Sequence, residues 1–267
     1  MADAPAPAPA KKPSDLAPRV ASALVMVGLA LATLWAGGLW FHLFWLAAGA
    51  AIVWEFQAMI DAPNRALRVA FGAAALAAAA ALTANLAIEW ALALAFVGAL
   101  AAGAAAGRGK GVWAATGVLY ACALVMATTL LRDSMFRGFE SIVWLFAVVW
   151  TTDVMAYFGG RMIGGPKLWP RVSPSKTWSG FVTGVSCGAV AGLAVAPIGS
   201  TIPYVAVLSL VAAMVSQGGD LFESSVKRRF GVKDSSNLIP GHGGVMDRLD
   251  GFLAAAAFAA LVAFARA

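Results

Sequence analysis

Nine long apolar segments constrain this chain more than any other feature of its sequence. Each approaches the roughly 20 residues that an α-helix needs to cross the hydrocarbon core of a bilayer. Only 12% of the residues are charged, whereas soluble domains average about 25%. We therefore predict an all-α, polytopic integral membrane protein with about nine transmembrane helices. The segments are 19–36, 39–60, 67–83, 86–106, 112–131, 139–159, 180–198, 203–226 and 250–266. The third and fourth are Ala-rich and closely spaced, so a single re-entrant unit is the alternative for them.

The basic residues between these segments predict the orientation of the chain. With the N terminus in the cytoplasm, sixteen of the nineteen Lys and Arg residues lie on the cytoplasmic side, and only Arg132, Arg137 and Arg266 lie outside. Cytoplasmic loops of membrane proteins carry such an excess of basic residues. We expect a multi-pass protein of a bacterial inner membrane, with both large polar loops in the cytoplasm. The net charge of +6 follows from this topology, so we predict no nucleic-acid partner.

Composition divides the chain into three parts. Residues 1–18 are an Ala/Pro-rich tail that we predict to be disordered. Residues 19–138 form the N-terminal helices, and residues 139–267 form C-terminal helices that carry the polar motifs. A cleaved signal peptide is the alternative for the N terminus, because Lys11 and Lys12 precede an apolar segment. Cys122 and Cys187 lie in apolar runs without metal-ligand spacing, so we predict no structural disulfide.

The stretch 216–251 contains most of the chemically active side chains. It contains five acidic residues, five basic residues and a histidine, between glycine-rich turns. On a helix, Asp220, Glu223, Ser224 and Lys227 share one face, because they are spaced by three, four and seven residues. Carboxylate oxygens suit Mg²⁺, which usually takes one or two of them together with substrate phosphates. The stretch therefore predicts a site for a divalent cation and phosphate groups.

A second interpretation of the same acids is structural. Asp220, Glu223, Asp247 and Asp250 could form ion pairs with Lys227 and Arg248 at helix ends. From spacing alone, the metal site and the ion pairs explain these residues equally well.

Two ordered patterns in this stretch resemble a known family. The chain reads S-x-x-K-R-x-x-x-x-K-D and then P-x-H-G-G-x-x-D-R-x-D, which resembles the signature of the phosphatidate cytidylyltransferases. The matching positions are Ser224, Lys227, Arg228, Lys233, Asp234, Pro240, His242, Gly243, Gly244, Asp247, Arg248 and Asp250. The segments 153–161 and 173–180 also resemble family segments, except that Ser179 stands where the family usually has an acid. The resemblance is strong over about 150–251 and general over 1–149.

The resemblance implies a reaction and a set of residues. The reaction is transfer of a cytidylyl group from CTP to phosphatidate in phospholipid biosynthesis, giving CDP-diacylglycerol and pyrophosphate. The implied catalytic residues are Asp220, Lys227, Arg228, Asp247 and Arg248. The implied substrate-binding residues are Asp153, Arg161, Ser173, Lys176, Thr177, Ser224, Lys233, Asp234, His242, Gly243 and Gly244. The implied Mg²⁺ ligands are Asp220, Asp247, Glu223 and Asp250, with a second cation left open. A homodimer is also predicted.

Several alternatives stay open at this point. The function could be that of an ion- or solute-coupled transporter, or of a CTP-dependent lipid kinase that releases CDP. Ser173–Thr177 could be a helix-entry turn, and His242 could order its loop rather than bind substrate. Glu55 and Asp61 lie towards the inner end of the second segment. We expect them to be solvated at the membrane interface, and the alternative is that they reach the same cavity.

Overall fold

The computed structural model describes residues 16–134, 137–196 and 199–266, and the side chains from residue 20 onwards. The predicted disordered tail lies outside the described residues except for its last three, which begin the first helix. Nine helices in the described ranges correspond to the nine predicted segments, with ends shifted by a few residues. They are α1 (Leu16–Ala36), α2 (Gly38–Met59), α3 (Arg65–Ala84), α4 (Ile88–Ala106), α5 (Gly111–Arg132), α6 (Gly138–Ile163), α7 (Trp178–Ala194), α8 (Ile202–Arg229) and α9 (Met246–Phe264).

Six of these helices are long and apolar enough to cross a membrane. They are α2, α3, α4, α5, α6 and α8. The apolar parts of α1 and α7 are shorter, and α9 begins with three charged residues among its first five. The third and fourth segments form two separate helices joined by a short loop at 85–87, each of spanning length, which favours two spans over a single re-entrant unit. The molecule is an all-α membrane protein in its main architecture.

A small β-hairpin departs from the all-α prediction. Strand β1 (Lys167–Trp169) pairs antiparallel with β2 (Ser173–Thr177), and the hairpin joins α6 to α7. The helix-entry interpretation of Ser173–Thr177 holds only for its last residue, because Thr177 is the N-cap of α7 and its Oγ1 accepts a hydrogen bond from Gly180 N at 3.1 Å. The preceding residues are extended.

Small residues let α7 lie directly against α6. A Cβ on Gly184 would lie 2.7 Å from Thr152 O, and one on Gly188 would lie 2.1 Å from Thr152 Oγ1. Such small-residue contacts let helix backbones approach closely in membranes. The close pairing fixes the C-terminal end of α6 next to the hairpin, and so positions the polar residues that both elements carry.

The apolar core lies between α2, α5, α6 and α9. Trp45 of α2 stacks on Phe252 of α9 with ring centroids 4.9 Å apart, and Phe146 of α6 packs on both rings. Aromatic pairs of this kind contribute roughly 0.5–1.5 kcal/mol beyond their area of burial. The stack ties the first half of the chain to the helix that carries the last motif.

Candidate active site

A polar cavity of about 630 Å³ opens at one end of the bundle. It lies where α6 ends, the hairpin follows, α8 ends and α9 begins. Nine of the predicted site residues line it: Asp153, Arg161, Lys176, Thr177, Asp220, Lys227, Asp247, Arg248 and Asp250. The cavity walls contain four acidic and five basic side chains, so they suit a ligand that carries both phosphates and a cation.

The helical face predicted on α8 is present. Ser224 Oγ donates a hydrogen bond to Asp220 Oδ1 at 3.3 Å, one turn away. Across the cavity, Lys176 of the hairpin lies 2.5 Å from Asp220 Oδ2 and 3.5 Å from Gln217 Oε1. Gln217 is buried and was not predicted. Gln217 lies three residues before Asp220, and this helical spacing could have predicted that the two side chains share one face of α8. These contacts join the hairpin to α8.

Lys227 bridges two buried carboxylates. Its Nζ lies 2.7 Å from Glu223 Oε2 and 2.6 Å from Asp247 Oδ1. These are the ion pairs expected under the structural interpretation. Arg248, by contrast, is exposed in the cavity and forms no ion pair with an acid in the described ranges. One ammonium group faces two carboxylates, and removing it would leave buried charge uncompensated.

Asp247 holds the start of α9 and the preceding loop together. Its Oδ2 accepts hydrogen bonds from Ser235 N and Oγ, both at 2.9 Å, and from Gly244 N at 2.7 Å. Asp247 lies outside the ninth predicted apolar segment, which begins at residue 250. Burial raises the pKa of this carboxyl, but the contacts with Glu223, Lys227 and the Gly244 N–H outweigh burial and hold its pKa at about 2. Asp247 is therefore ionised at neutral pH.

The expectation for Glu55 was wrong. Glu55 is fully buried, and its carboxylate accepts hydrogen bonds from Val245 N and Met246 N, both at 2.8 Å. It also accepts from Ser235 Oγ at 3.1 Å and from Ser236 Oγ at 2.7 Å. The sequence feature that could have predicted these buried contacts is the position of Glu55 within an apolar segment, because ionisable groups in spans usually face a polar region. Asp61 is exposed, as solvation requires, and its position at the membrane interface stays a prediction.

Two motif glycines pack against these carboxylates. A Cβ on Gly243, whose φ is +82°, would lie 2.7 Å from Asp247 Oδ2. A Cβ on Gly244 would lie 2.0 Å from Ser235 Oγ and 2.5 Å from Glu55 Oε1. Neither glycine lines the cavity. Their immediate effect is to let the loop close around the acids.

His242 contacts the first helix. Its Nδ1 lies 2.8 Å from Ser22 Oγ, which also donates to Pro240 O at 3.1 Å. This geometry agrees with the loop-ordering alternative for His242. Among the other predicted residues, Arg228 donates to Val172 O at 3.4 Å and to Val232 O at 3.2 Å.

The remaining predicted residues lie outside the cavity lining. Lys233 and Asp234 are exposed, and Ser173 is half-buried in β2. For these residues, as for Arg228 and His242, direct contact with substrate stays a prediction.

The carboxylates of the cavity suit a hard cation. Asp153, Asp220 and Asp250 line it together, and carboxylate oxygens are the ligands that Mg²⁺ prefers. Within the described parts of the chain, however, no group of three His, Cys, Asp or Glu side chains converges closely enough to hold a metal ion unaided. Because Mg²⁺ commonly completes its shell with water and substrate phosphates, the donor set fits a cation that arrives with a phosphate-bearing ligand.

The fold and the cavity together define a class: a multi-pass helical membrane protein with a cavity of mixed charge at one end of its bundle. Residues 17–265 match the cytidylyltransferase family. The chain is 44% identical to the phosphatidate cytidylyltransferase of Brucella abortus (strain 9-941) over 250 residues. The aligned region covers 91% of this chain and 92% of that protein. The protein of the same name from Staphylococcus saprophyticus is 41% identical over 126 residues, 46% of this chain and 48% of that protein. This chain belongs to the cytidylyltransferase family, which confirms the resemblance in its motifs.

Proposed function

We propose that this protein transfers the cytidylyl group of CTP to phosphatidate, forming CDP-diacylglycerol and pyrophosphate. One observation carries the proposal. Two separate motif segments, 153–177 and 220–250, converge on a single charged cavity in a chain that is 44% identical, nearly end to end, to phosphatidate cytidylyltransferases. The transporter alternative has less support, because the cavity of mixed charge lies at one end of the bundle rather than along a path through it.

The cavity supplies what this transfer requires. An oxygen of the lipid phosphate forms a bond to the α-phosphorus of CTP, while the bond from that phosphorus to the bridging oxygen breaks and pyrophosphate leaves with the electron pair. Because the attacking oxygen is already anionic, no strong general base is needed. Positioning and neutralisation of phosphate charge dominate such reactions. Arg161, Lys167, Lys176, Lys227 and Arg248 line the cavity and would neutralise these oxygens.

Mg²⁺ would neutralise the triphosphate and the leaving pyrophosphate when bound. We propose Asp220 and Asp247 as its ligands, with Glu223 and Asp250 as further or supporting ligands and a second cation left open. Asp220 would become available when Lys176 moves to a phosphate. Asp247 would become available when Lys227 does the same. The two lysines would then contact substrate and release carboxylates in a single rearrangement.

The position of the protein in the cell is part of the same proposal. We propose nine spans with the N terminus in the cytoplasm, in a bacterial inner membrane. The distribution of basic residues supports this orientation. It puts the cavity on the side where CTP is made and beside the inner leaflet that supplies phosphatidate. A homodimer stays a prediction.

The test is a turnover assay on the purified full-length protein in mixed micelles. CTP labelled at the α-phosphate is supplied with phosphatidate, with Mg²⁺ or with a chelator. We expect Mg²⁺-dependent transfer of label into lipid, with one pyrophosphate for each lipid labelled. CDP without pyrophosphate would identify a lipid kinase instead. No consumption of CTP by folded protein would refute the transferase and favour the transporter.

A further inference from the structure

A second cavity, of about 460 Å³, lies at the opposite end of the bundle. It is bordered by the ends of α5 and α9 and by the starts of α6 and α8, whereas the polar cavity lies at the other ends of α6, α8 and α9. Helix α6 has 26 residues, which corresponds to about 39 Å at 1.5 Å per residue. The two cavities share no lining residue, so the second one is a separate feature of the molecule.

Two arginines give the second cavity a positive charge. Arg137 and Arg266 border it, and none of its lining residues is acidic. Arg137 donates a hydrogen bond to Ser200 Oγ at 3.1 Å, and the Arg266 guanidinium lies 4.2 Å from the centroid of the Tyr204 ring. These contacts orient the guanidinium groups without neutralising them. In the described ranges, neither group forms an ion pair with a carboxylate.

Basic residues are few at this end of the bundle, and most of them border the second cavity. Under the predicted topology, only three of the nineteen basic residues lie on this side of the membrane, and two of those three border one cavity. The third, Arg132, donates to Leu34 O and stacks on the ring of Phe41. The first turn of α8 has no side-chain cap and no acidic residue, so it adds positive potential where it reaches the cavity.

The rest of the cavity wall is apolar. Val205 and Leu208 of α8 face Ala259 and Val262 of α9 across it. On the adjacent outer surface of α9, Leu261 is 70% exposed, as expected for a residue that faces hydrocarbon. The cavity therefore combines a cationic, hydroxyl-bearing end with an apolar wall that continues onto the lipid-facing surface.

We propose that this second cavity binds an anionic phospholipid from the leaflet at that end of the bundle. The lipid phosphate pairs with Arg137 and Arg266, and the nearby hydroxyl groups of Ser200 and Thr201 donate further hydrogen bonds to it. One acyl chain lies along the apolar wall between α8 and α9. A free phosphate ion would satisfy the arginines but leave that wall uncovered, so the combined chemistry favours a lipid.

The test measures lipid binding directly. The full-length protein is purified in detergent, stripped of lipid and titrated with phosphatidylglycerol, and native mass spectrometry counts the bound molecules. The double substitution Arg137→Gln and Arg266→Gln should weaken binding of one lipid per chain on the order of tenfold or more, because about 1 kcal/mol is lost for each charge. Arg65→Gln with Arg108→Gln removes the same charge at the other end and should leave that lipid bound.

A second variant separates lipid binding from a general loss of charge or of folding. Ala263→Trp fills the apolar side of the cavity and keeps both arginines, so it should also displace that lipid. Unchanged phosphatidylglycerol binding in both the arginine pair and Ala263→Trp would overturn the proposal. Full competition by inorganic phosphate, with no effect of Ala263→Trp, would also overturn it and identify a site for small anions.

Discussion

The carboxylates of the polar cavity differ in how many hydrogen bonds and ion pairs they form with the rest of the protein. Asp247 accepts three hydrogen bonds and contacts Lys227, so its position is fixed by its surroundings. Asp220 contacts only Lys176 and Ser224 among the described residues. An ion with its phosphate ligand can replace those two contacts without breaking a loop. Asp220 is therefore the carboxylate that we expect to serve substrate binding with the least structural role.

Asp220→Asn tests this expectation. The amide keeps the shape of the side chain but loses the charge that attracts a cation. We expect turnover of labelled CTP to fall by about 100-fold or more, with little change in thermal stability. Asp61→Asn is the matched control, because Asp61 is exposed in the loop between α2 and α3, and it should retain full turnover. Near-normal turnover of Asp220→Asn with an unchanged Mg²⁺ requirement would remove Asp220 from the metal site.

Gly244 tests the packing around the acids. An added methyl group would meet Ser235 Oγ and Glu55 Oε1, so Gly244→Ala forces the loop to shift. Such overpacking costs about 1–3 kcal/mol, and thermal unfolding in detergent should show it, together with lower turnover. Gly218→Ala is the control, since a Cβ there meets nothing within 4 Å and alanine favours a helix. Equal stability of the two variants would contradict the packing explanation.

At the scale of elements, the loop between α8 and α9 has little regular structure, and four helices hold it. Ser22 of α1 contacts its turn, Glu55 of α2 accepts its backbone amides, Lys227 of α8 reaches Asp247, and Asp247 belongs to α9. The loop carries half of the family motif. Much of that motif therefore shapes the loop, and only part of it faces the cavity.

Glu55→Gln tests whether the N-terminal helices position this loop. Val245 N–H and Met246 N–H donate to different oxygens of Glu55, and glutamine keeps only one acceptor oxygen. One of the two N–H groups therefore loses its acceptor, and a hydrogen bond to a charged group contributes about 1.5–3 kcal/mol. We expect turnover to fall by about tenfold or more, and at least one of the Val245 and Met246 amides to exchange hydrogen faster. Glu89→Gln is the control, because Glu89 is exposed in the first turn of α4. Wild-type exchange rates at both amides would show that Glu55 does not hold the loop.

At the scale of the whole molecule, the two cavities lie at opposite ends of the same three helices. One contains mixed charge and most of the acids of the motif, and the other contains two arginines and an apolar wall. This asymmetry matches the predicted orientation, in which the end rich in polar loops faces the cytoplasm. Orientation and function are therefore linked, because a reversed chain would separate the charged cavity from CTP.

Labelling of single cysteines tests the orientation. Cys122 and Cys187 are replaced by alanine, and one cysteine is introduced at Asn85 or at Arg108, which lie in loops at opposite ends of the bundle. In right-side-out vesicles, a membrane-impermeant thiol reagent should label Asn85→Cys directly and Arg108→Cys only after permeabilisation. The reverse pattern would refute a cytoplasmic N terminus.

Helix positions were accessible from the sequence because they depend on local composition. Apolar runs of about 20 residues predicted all nine helices, and helical spacing predicted that Asp220, Ser224 and Lys227 share a face. The hairpin at 167–177 was missed because two strands of three and five residues are too short to produce a clear alternating pattern.

The role of Glu55 was missed for a different reason. Its partners lie about 180 to 190 residues away, and no local pattern reports contacts of that separation.

The sequence by itself determined that the chain is a multi-pass helical membrane protein and which polar segments hold its chemistry, because hydropathy, helical period and motif spacing are properties of neighbouring residues. Only the tertiary structure decided which motif residues line the cavity, which instead hold a loop in place, and that a second cationic cavity forms at the opposite end. Those outcomes depend on which helices pack together, since packing brings residues of distant segments within hydrogen-bonding distance.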